Sequence, residues 1–243
     1  MHRFLLAVLV ASLCSHNVSA QSPPLPQPPT LKSTFLGRLR APTSSAPANP
    51  ASVKTIGKSA FGGGRSLTSV SVAPENQRFQ AVDGVLFTAD GKTLVAFPTG
   101  RESTEYVVPD DVETIRPSAF YRVSALKSIE IPDGVKQIGD YAFSGCQALE
   151  SVAIPGSVKE IARQAFSHCS ALESLEIADG VEKIGDSAFD GCDALKSVAI
   201  PASVREIGDE AFADCASDLT LYGAAGSVAE EYAAKNNLRF EAR

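Results

Sequence analysis

Four cysteines, Cys146, Cys169, Cys192 and Cys215, recur at intervals of 23 residues. Thiols in so regular a series invite three readings. They could form a zinc site, which gathers four sulfurs about 2.3 Å from one ion, a disulfide framework, or a structural column repeated by the fold. His168 stands directly before Cys169, but neighbours in a turn point different ways and no other repeat has the pair. It reads as a surface histidine. "DGKT" (Asp90 to Thr93) matches the end of a phosphate-binding loop, yet the required earlier glycine falls at Leu86 and no helix pattern follows. A hairpin turn accounts for it. "GGGR" (Gly62 to Arg65) occupies the repeat position filled elsewhere by "SGCQ" and "DGCD", so it is a turn rather than a phosphate cradle. The carboxylates are scattered over every repeat, and no two stand out as an acid and a base. The chemistry-bearing residues point away from an enzyme, and no cofactor is expected.

The cysteine spacing belongs to a larger unit. "VKQIGDYAFSGCQALESVAIPGS" begins at Val135, with copies from Val112, Val158 and Val181 and looser ones from Val53 and Val204. The valine, the isoleucine three later, an Ala-Phe pair and a leucine followed by aliphatics hold their columns. In the last copy Leu219 falls one place late, as if the series were ending. The second half of each unit, such as Leu149, Val152 and Ile154, alternates with the period of a strand, and turn residues follow at Pro155-Gly156-Ser157. One unit cannot bury its own apolar side, so the units must stack as a solenoid with a shared interior. Parallel strands about 4.8 Å apart line one face, and short β or 3-10 pieces at Val-x-x-Ile close the other. The alanine before each phenylalanine suits a crowded turn.

That geometry bears on the cysteines. One per turn puts neighbours about 4.8 Å apart and the outer pair about 14 Å apart, too far to share a zinc ion. Parallel Cβ vectors also keep neighbours wider than the roughly 3.5–4.5 Å that a disulfide prefers. Val123 fills the same position in the unit from Val112. A column of buried thiols is therefore favoured, while an oxidising compartment keeps pairs such as Cys146–Cys169 open.

The chain divides into three parts. Residues 1–20 read as a signal peptide: Arg3, the apolar run Phe4 to Leu13, then Val18-Ser19-Ala20. The run is too short to span a bilayer, Leu13 before Cys14 argues against lipidation, and the Asn17-Val18-Ser19 sequon falls in the removed segment. Residues 21–52 are rich in Pro, Ser and Ala and carry Lys32, Arg38 and Arg40 with no acid, as expected of a disordered linker. Residues 53–243 form the repeat domain, with 18 Lys/Arg against 28 Asp/Glu, a net of −10. That acidity argues against nucleic acid and anionic membrane as partners of the folded region; the basic linker could touch an anionic surface but reads first as a solvated spacer. Within it, 53–75 is a first repeat, and 76–111 is a degenerate repeat carrying a hairpin inserted around Asp90-Gly91. Residues 112–226 hold five units of the 23-residue type. Residues 227–243 are a helical cap, with Ser227 and Glu230 as a capping box.

The pattern V-x-x-I-G-x-x-A-F-x-x-C-x-x-L-x-S-V-x-I-P, together with "DGVLFTADGKTLVAFPTG" and "YGAAGSVAEEYAAKNNLRF", resembles the BspA-like class of leucine-rich repeats. The resemblance implies a right-handed leucine-rich-repeat solenoid, exposure at a cell surface or outside the cell, and roles in adhesion and in protein or matrix binding. It brings no shared catalytic residues. The outward positions of the strands then become the candidate site: Lys127, Glu150, Glu173 and Lys196 in one column; Ser69, Ser128, Ser151, Ser174 and Ser197 in a second; Ser71, Glu130, Ala153, Glu176 and Ala199 in a third. The expected function is that of an exported, non-catalytic module binding a protein or glycan through this face. The alternative is a structural part of an envelope or secreted complex, docking through its ends or its hairpin.

Overall fold

In the computed structural model, which describes residues 52–57, 59–62 and 67–243, the alternating half of each unit is a strand laid beside its copy in the next unit. Strands β4 (Glu105–Val107), β6 (Ser128–Glu130), β8 (Ser151–Ile154) and β10 (Ser174–Ile177) form one parallel sheet. Its register repeats by whole units, with Ser128 beside Ser151 and Ser151 beside Ser174. Strands β12 (Ser197–Ala199), β14 (Thr220–Gly223) and β15 (Arg239–Ala242) carry the same face onward. The opposite wall consists of the two-residue strands β5 (Thr114–Ile115), β7 (Gln137–Ile138), β9 (Glu160–Ile161), β11 (Lys183–Ile184) and β13 (Glu206–Ile207). The result is the parallel solenoid of about seven turns that the repeat demands.

The third side is made by the turn around Ala-Phe, and there the backbone does something unexpected. The residue before each alanine has a left-handed conformation: Ser118 (φ 60°), Tyr141 (58°), Gln164 (52°), Ser187 (50°) and Glu210 (57°). A second left-handed column follows at Arg122, Gly145, His168, Gly191 and Asp214. Each such side-chain-bearing residue costs roughly 1–2 kcal/mol. The alternation turns every second amide toward the next unit, so Ser118, Phe120 and Arg122 donate to the carbonyls of Asp140, Ala142 and Ser144. Backbone bonds offset the strain.

The interior is a ladder of one residue type per rung. Phe97, Phe120, Phe143, Phe166, Phe189 and Phe212 stack with centroids 4.8–5.4 Å apart. Burying each such ring contributes roughly 1.5–3 kcal/mol.

At the N-terminal end the Asp90-Gly91 hairpin is present, joining β2 (Val85–Thr88) to antiparallel β3 (Thr93–Ala96). A second hairpin at Asp83-Gly84 joins β1 (Phe79–Val82) to β2. Strand β3 also pairs in parallel with β5, so the hairpin's return strand is itself a rung of the far wall. The sheet is buried on both faces. Val85, Phe87 and Leu94 face the main core, whereas Leu86, Val95 and Ala96 face a smaller cluster with Phe61, Val70 and Val72 of the first repeat.

At the other end helix α1 (Val228–Lys235) closes the stack. Tyr232 accepts a hydrogen bond at 3.1 Å from the amide of Phe212, and its ring meets that phenylalanine edge-on at 5.9 Å. It supplies what the carbonyl of a next unit would have supplied. The expected capping box is not formed. Ser227 Oγ makes no cap bond and lies buried without a partner, while Glu230 accepts from the amide of Gly226 at 2.6 Å. Ser227 is extended (ψ 165°) and its Oγ lies close to Gly223, so it turns away from the helix amides.

Candidate functional site

In the structure the four thiols are unbridged. Each donates to the carbonyl of a phenylalanine in the preceding turn: Cys146 to Phe120 at 3.1 Å, Cys169 to Phe143 at 3.3 Å, Cys192 to Phe166 at 3.4 Å, Cys215 to Phe189 at 3.3 Å. Burial pushes Cys146 and Cys215 up to about 12, and Cys169 and Cys192 well above the usual thiol range. Protonated buried thiols are poor metal ligands and poor nucleophiles. Among the described residues no cluster of His, Cys, Asp or Glu could hold a metal ion. His168 is exposed, left-handed, and packed over Gly191, where an added Cβ would lie 2.5 Å from its Nδ1. Its amide is spent on the carbonyl of Asp190 at 2.6 Å.

The strands place most of the candidate residues together. Ser151, Ser174 and Ser197 are exposed in one column, with Ser128 half-buried beside them. Glu130, Ala153, Glu176 and Ala199 are exposed in the next. Lys127, Glu150, Glu173 and Lys196 flank the strands and are exposed too. Ser69 and Ser71 do not join them. Their segment forms no strand of this sheet, and the amide of Val70 between them donates to Gly84 in the hairpin.

Charge separates this face from the far wall. There, cross-turn pairs neutralise the columns: Lys92–Glu113 at 2.6 Å, Lys136–Glu113 at 2.8 Å, Lys159–Glu182 at 3.6 Å, Lys183–Glu160 at 3.8 Å and Lys183–Glu206 at 2.9 Å. Among the described residues the strand face has a single such pair, Lys127–Glu150 at 2.8 Å. Glu130, Glu173, Glu176 and Lys196 make no ion pair among the described residues, although each stands in a column with other charged side chains or small alanines.

Two features of the face escaped the sequence reading. Val107 is 61% exposed at its N-terminal end. At its C-terminal end Tyr222 lies in register with Ala199 and is covered by the Arg243 guanidinium, 3.5 Å from the ring centroid. The one-residue slip at Leu219 hid Tyr222 from the column alignment. Continuing the alternation Leu219, Leu221 would have found it.

A cysteine-rungged, phenylalanine-stacked solenoid with one parallel sheet is a leucine-rich-repeat architecture. This chain belongs to the BspA-type leucine-rich-repeat family, whose model matches six copies over residues 95–218. The match reaches back to Val95, in agreement with β3 acting as a repeat strand. The pneumococcal vaccine antigen PcpA is 26% identical with a TM-score of 0.66, the alignment covering 80% of this chain and 55% of that one. A leucine-rich cell surface protein from Faecalibacterium prausnitzii is 32% identical with a TM-score of 0.65, covering 72% and 46%. A leucine-rich-repeat protein from T. pallidum is 27% identical with a TM-score of 0.52, covering 62% and 70%. The chain thus spans about half the length of the first two. No curated protein matches it significantly. Among the described residues no helix is long and apolar enough to cross a membrane.

Proposed function

We propose that this protein is an exported, non-catalytic binding module that engages a protein or glycan at a cell surface through its strand face. The observation that carries the reading is the unequal treatment of charge. The far wall pairs its charged columns within the molecule apart from Arg205, whereas the strand face leaves Glu130, Glu173, Glu176 and Lys196 for another molecule to pair. Solenoids of this kind offer such a surface across several repeats, and the similarity to a leucine-rich cell surface protein supports the location. The signal peptide at 1–20 and the linker at 21–52 are part of the proposal; apart from Ser52 these segments lie outside the described residues, as do Gly63, Gly64 and Arg65 of the "GGGR" turn.

The structural alternative would dock through the ends or through the hairpin tip, where Ala89, Asp90 and Lys92 are exposed while Val85, Leu86, Phe87, Leu94, Val95, Ala96 and Phe97 are buried. Deleting residues 84–98 would remove core together with that tip. A screen of the chain from Gln21 onward against matrix-protein and glycan arrays tests the binding reading. Reproducible capture of at least one ligand class is expected, and silence on both arrays would contradict it.

A further inference from the structure

The ends of the strand face carry a second message. A strand at the end of a sheet leaves half of its backbone groups without a strand partner. In β4, the carbonyl of Thr104 accepts from Ser128 and the amide of Val108 donates to Glu130. Alternation along a strand then turns the amides and carbonyls of Glu105 and Val107 the other way. No backbone hydrogen bond reaches either residue from the preceding segment among the described residues, since Val70 bonds to Gly84 and Leu67 to Gly100. At the opposite end, the amide of Arg243 donates to Gly223, so Phe240 and Ala242 in β15 turn their backbone groups outward.

The two edges are complementary in charge. Around β4 stand the exposed acids Glu102, Glu105, Asp110 and Asp111, and around β15 stand the exposed Arg239 and Arg243. Glu105 and Arg239 also share one register column, Glu105 through Ser128 and Arg239 through Thr220 and Ser197. If the stack ran on into another molecule, Arg239 would lie beside Glu105 one strand spacing away, and Glu241 beside the exposed Val107 rather than beside another acid.

We propose that β15 of one molecule adds in parallel beside β4 of a second copy, continuing the strand-face sheet from molecule to molecule. Such a contact joins unlike surfaces, so it does not close on a pair and builds head-to-tail chains. The pairing is short, which makes it weak, concentration-dependent and sensitive to salt. This goes beyond ligand binding by the strand face, and it lengthens that face.

Sedimentation of the chain from Gln21 onward, over a wide range of protein concentration, tests it. The weight-average mass should rise with concentration and fall back as salt is raised from about 50 mM to about 500 mM. Glu105→Arg and Arg239→Glu should each return the protein to monomer, and the two together should restore association. Val107→Pro, which removes an outward amide, should also give monomer with an unchanged circular dichroism spectrum. Changing Ser151, Glu173 and Glu176 together should leave self-association intact, which separates this contact from the ligand site. A monomer at every concentration would overturn the proposal, whether the edges stay bare or take a strand from a different protein. So would association that survives either single charge reversal or is not restored by the double one.

Discussion

At the scale of single residues, Cys169 illustrates how a repeated position becomes a chain of contacts. Its thiol donates to Phe143 in the turn before, and Phe143 sits between Phe120 and Phe166 in the ring stack. Because burial holds the thiols protonated, reagents should find Cys146, Cys169 and Cys192 unreactive in the native protein and the half-buried Cys215 slow. Denaturation of the chain from Gln21 onward, without reductant, should release four free thiols, a count read directly with a chromogenic disulfide reagent. Finding none would mean that the column is bridged. A second residue-scale expectation concerns Glu113, whose hydrogen bonds from Lys136 and Lys92 draw its carboxyl from an ordinary 4.5 to about 2. A carboxyl with a lowered folded pKa contributes stability above its unfolded pKa and loses it as pH falls through the folded one. The wild type should therefore be slightly more stable than Glu113→Gln at pH 6, and thermal unfolding should bring the two together between about pH 4.5 and pH 2. High salt should shrink the difference, since both lysines and Glu113 are solvent-exposed.

At the scale of elements, the strands and the turns were not equally legible. The alternation in Leu149, Val152 and Ile154 marks a half-buried strand by period alone, and β8 forms there. The left-handed turn was invisible because Tyr141, Gln164 and Glu210 are not glycines, so only the hydrogen bonds between turns reveal why the strain is tolerated. Gln164→Gly should be neutral or stabilising by about 1 kcal/mol, whereas Gln164→Ile should destabilise by about 1–2 kcal/mol, both read from denaturant midpoints. The cap was foreseen as a helix but not as a hydrogen-bond donor's partner. Tyr232→Phe keeps the ring on Phe212 and removes its acceptor, and should cost about 1–3 kcal/mol through the unsatisfied Phe212 amide. The Asp83-Gly84 hairpin was missed because "AVDGVL" lies inside a stretch whose period had already broken.

At the scale of the whole molecule, the fixed period settles the fold, since any side chain at one position meets its own copy about 4.8 Å away. The same rule explains why the site is harder to read. Sequence columns show which residues share a face, but not which charges are already paired across turns. Lys183 illustrates the difference, held between Glu160 and Glu206 on the far wall, while Glu173 and Glu176 on the strand face form no ion pair among the described residues. The central claim is that this unpaired face binds the partner, and it is tested by pitting the two faces against each other on the same arrays. One variant carries Ser151→Arg, Glu173→Lys and Glu176→Lys, and the other carries Gln137→Arg, Glu160→Lys and Glu206→Lys on the far wall. With both variants folded as judged by circular dichroism, the strand-face variant should lose ligands captured by the wild type at least about tenfold, a change of 1.4 kcal/mol, and the wall variant should keep them. Ligands retained by the strand-face variant and lost by the wall variant would contradict the account.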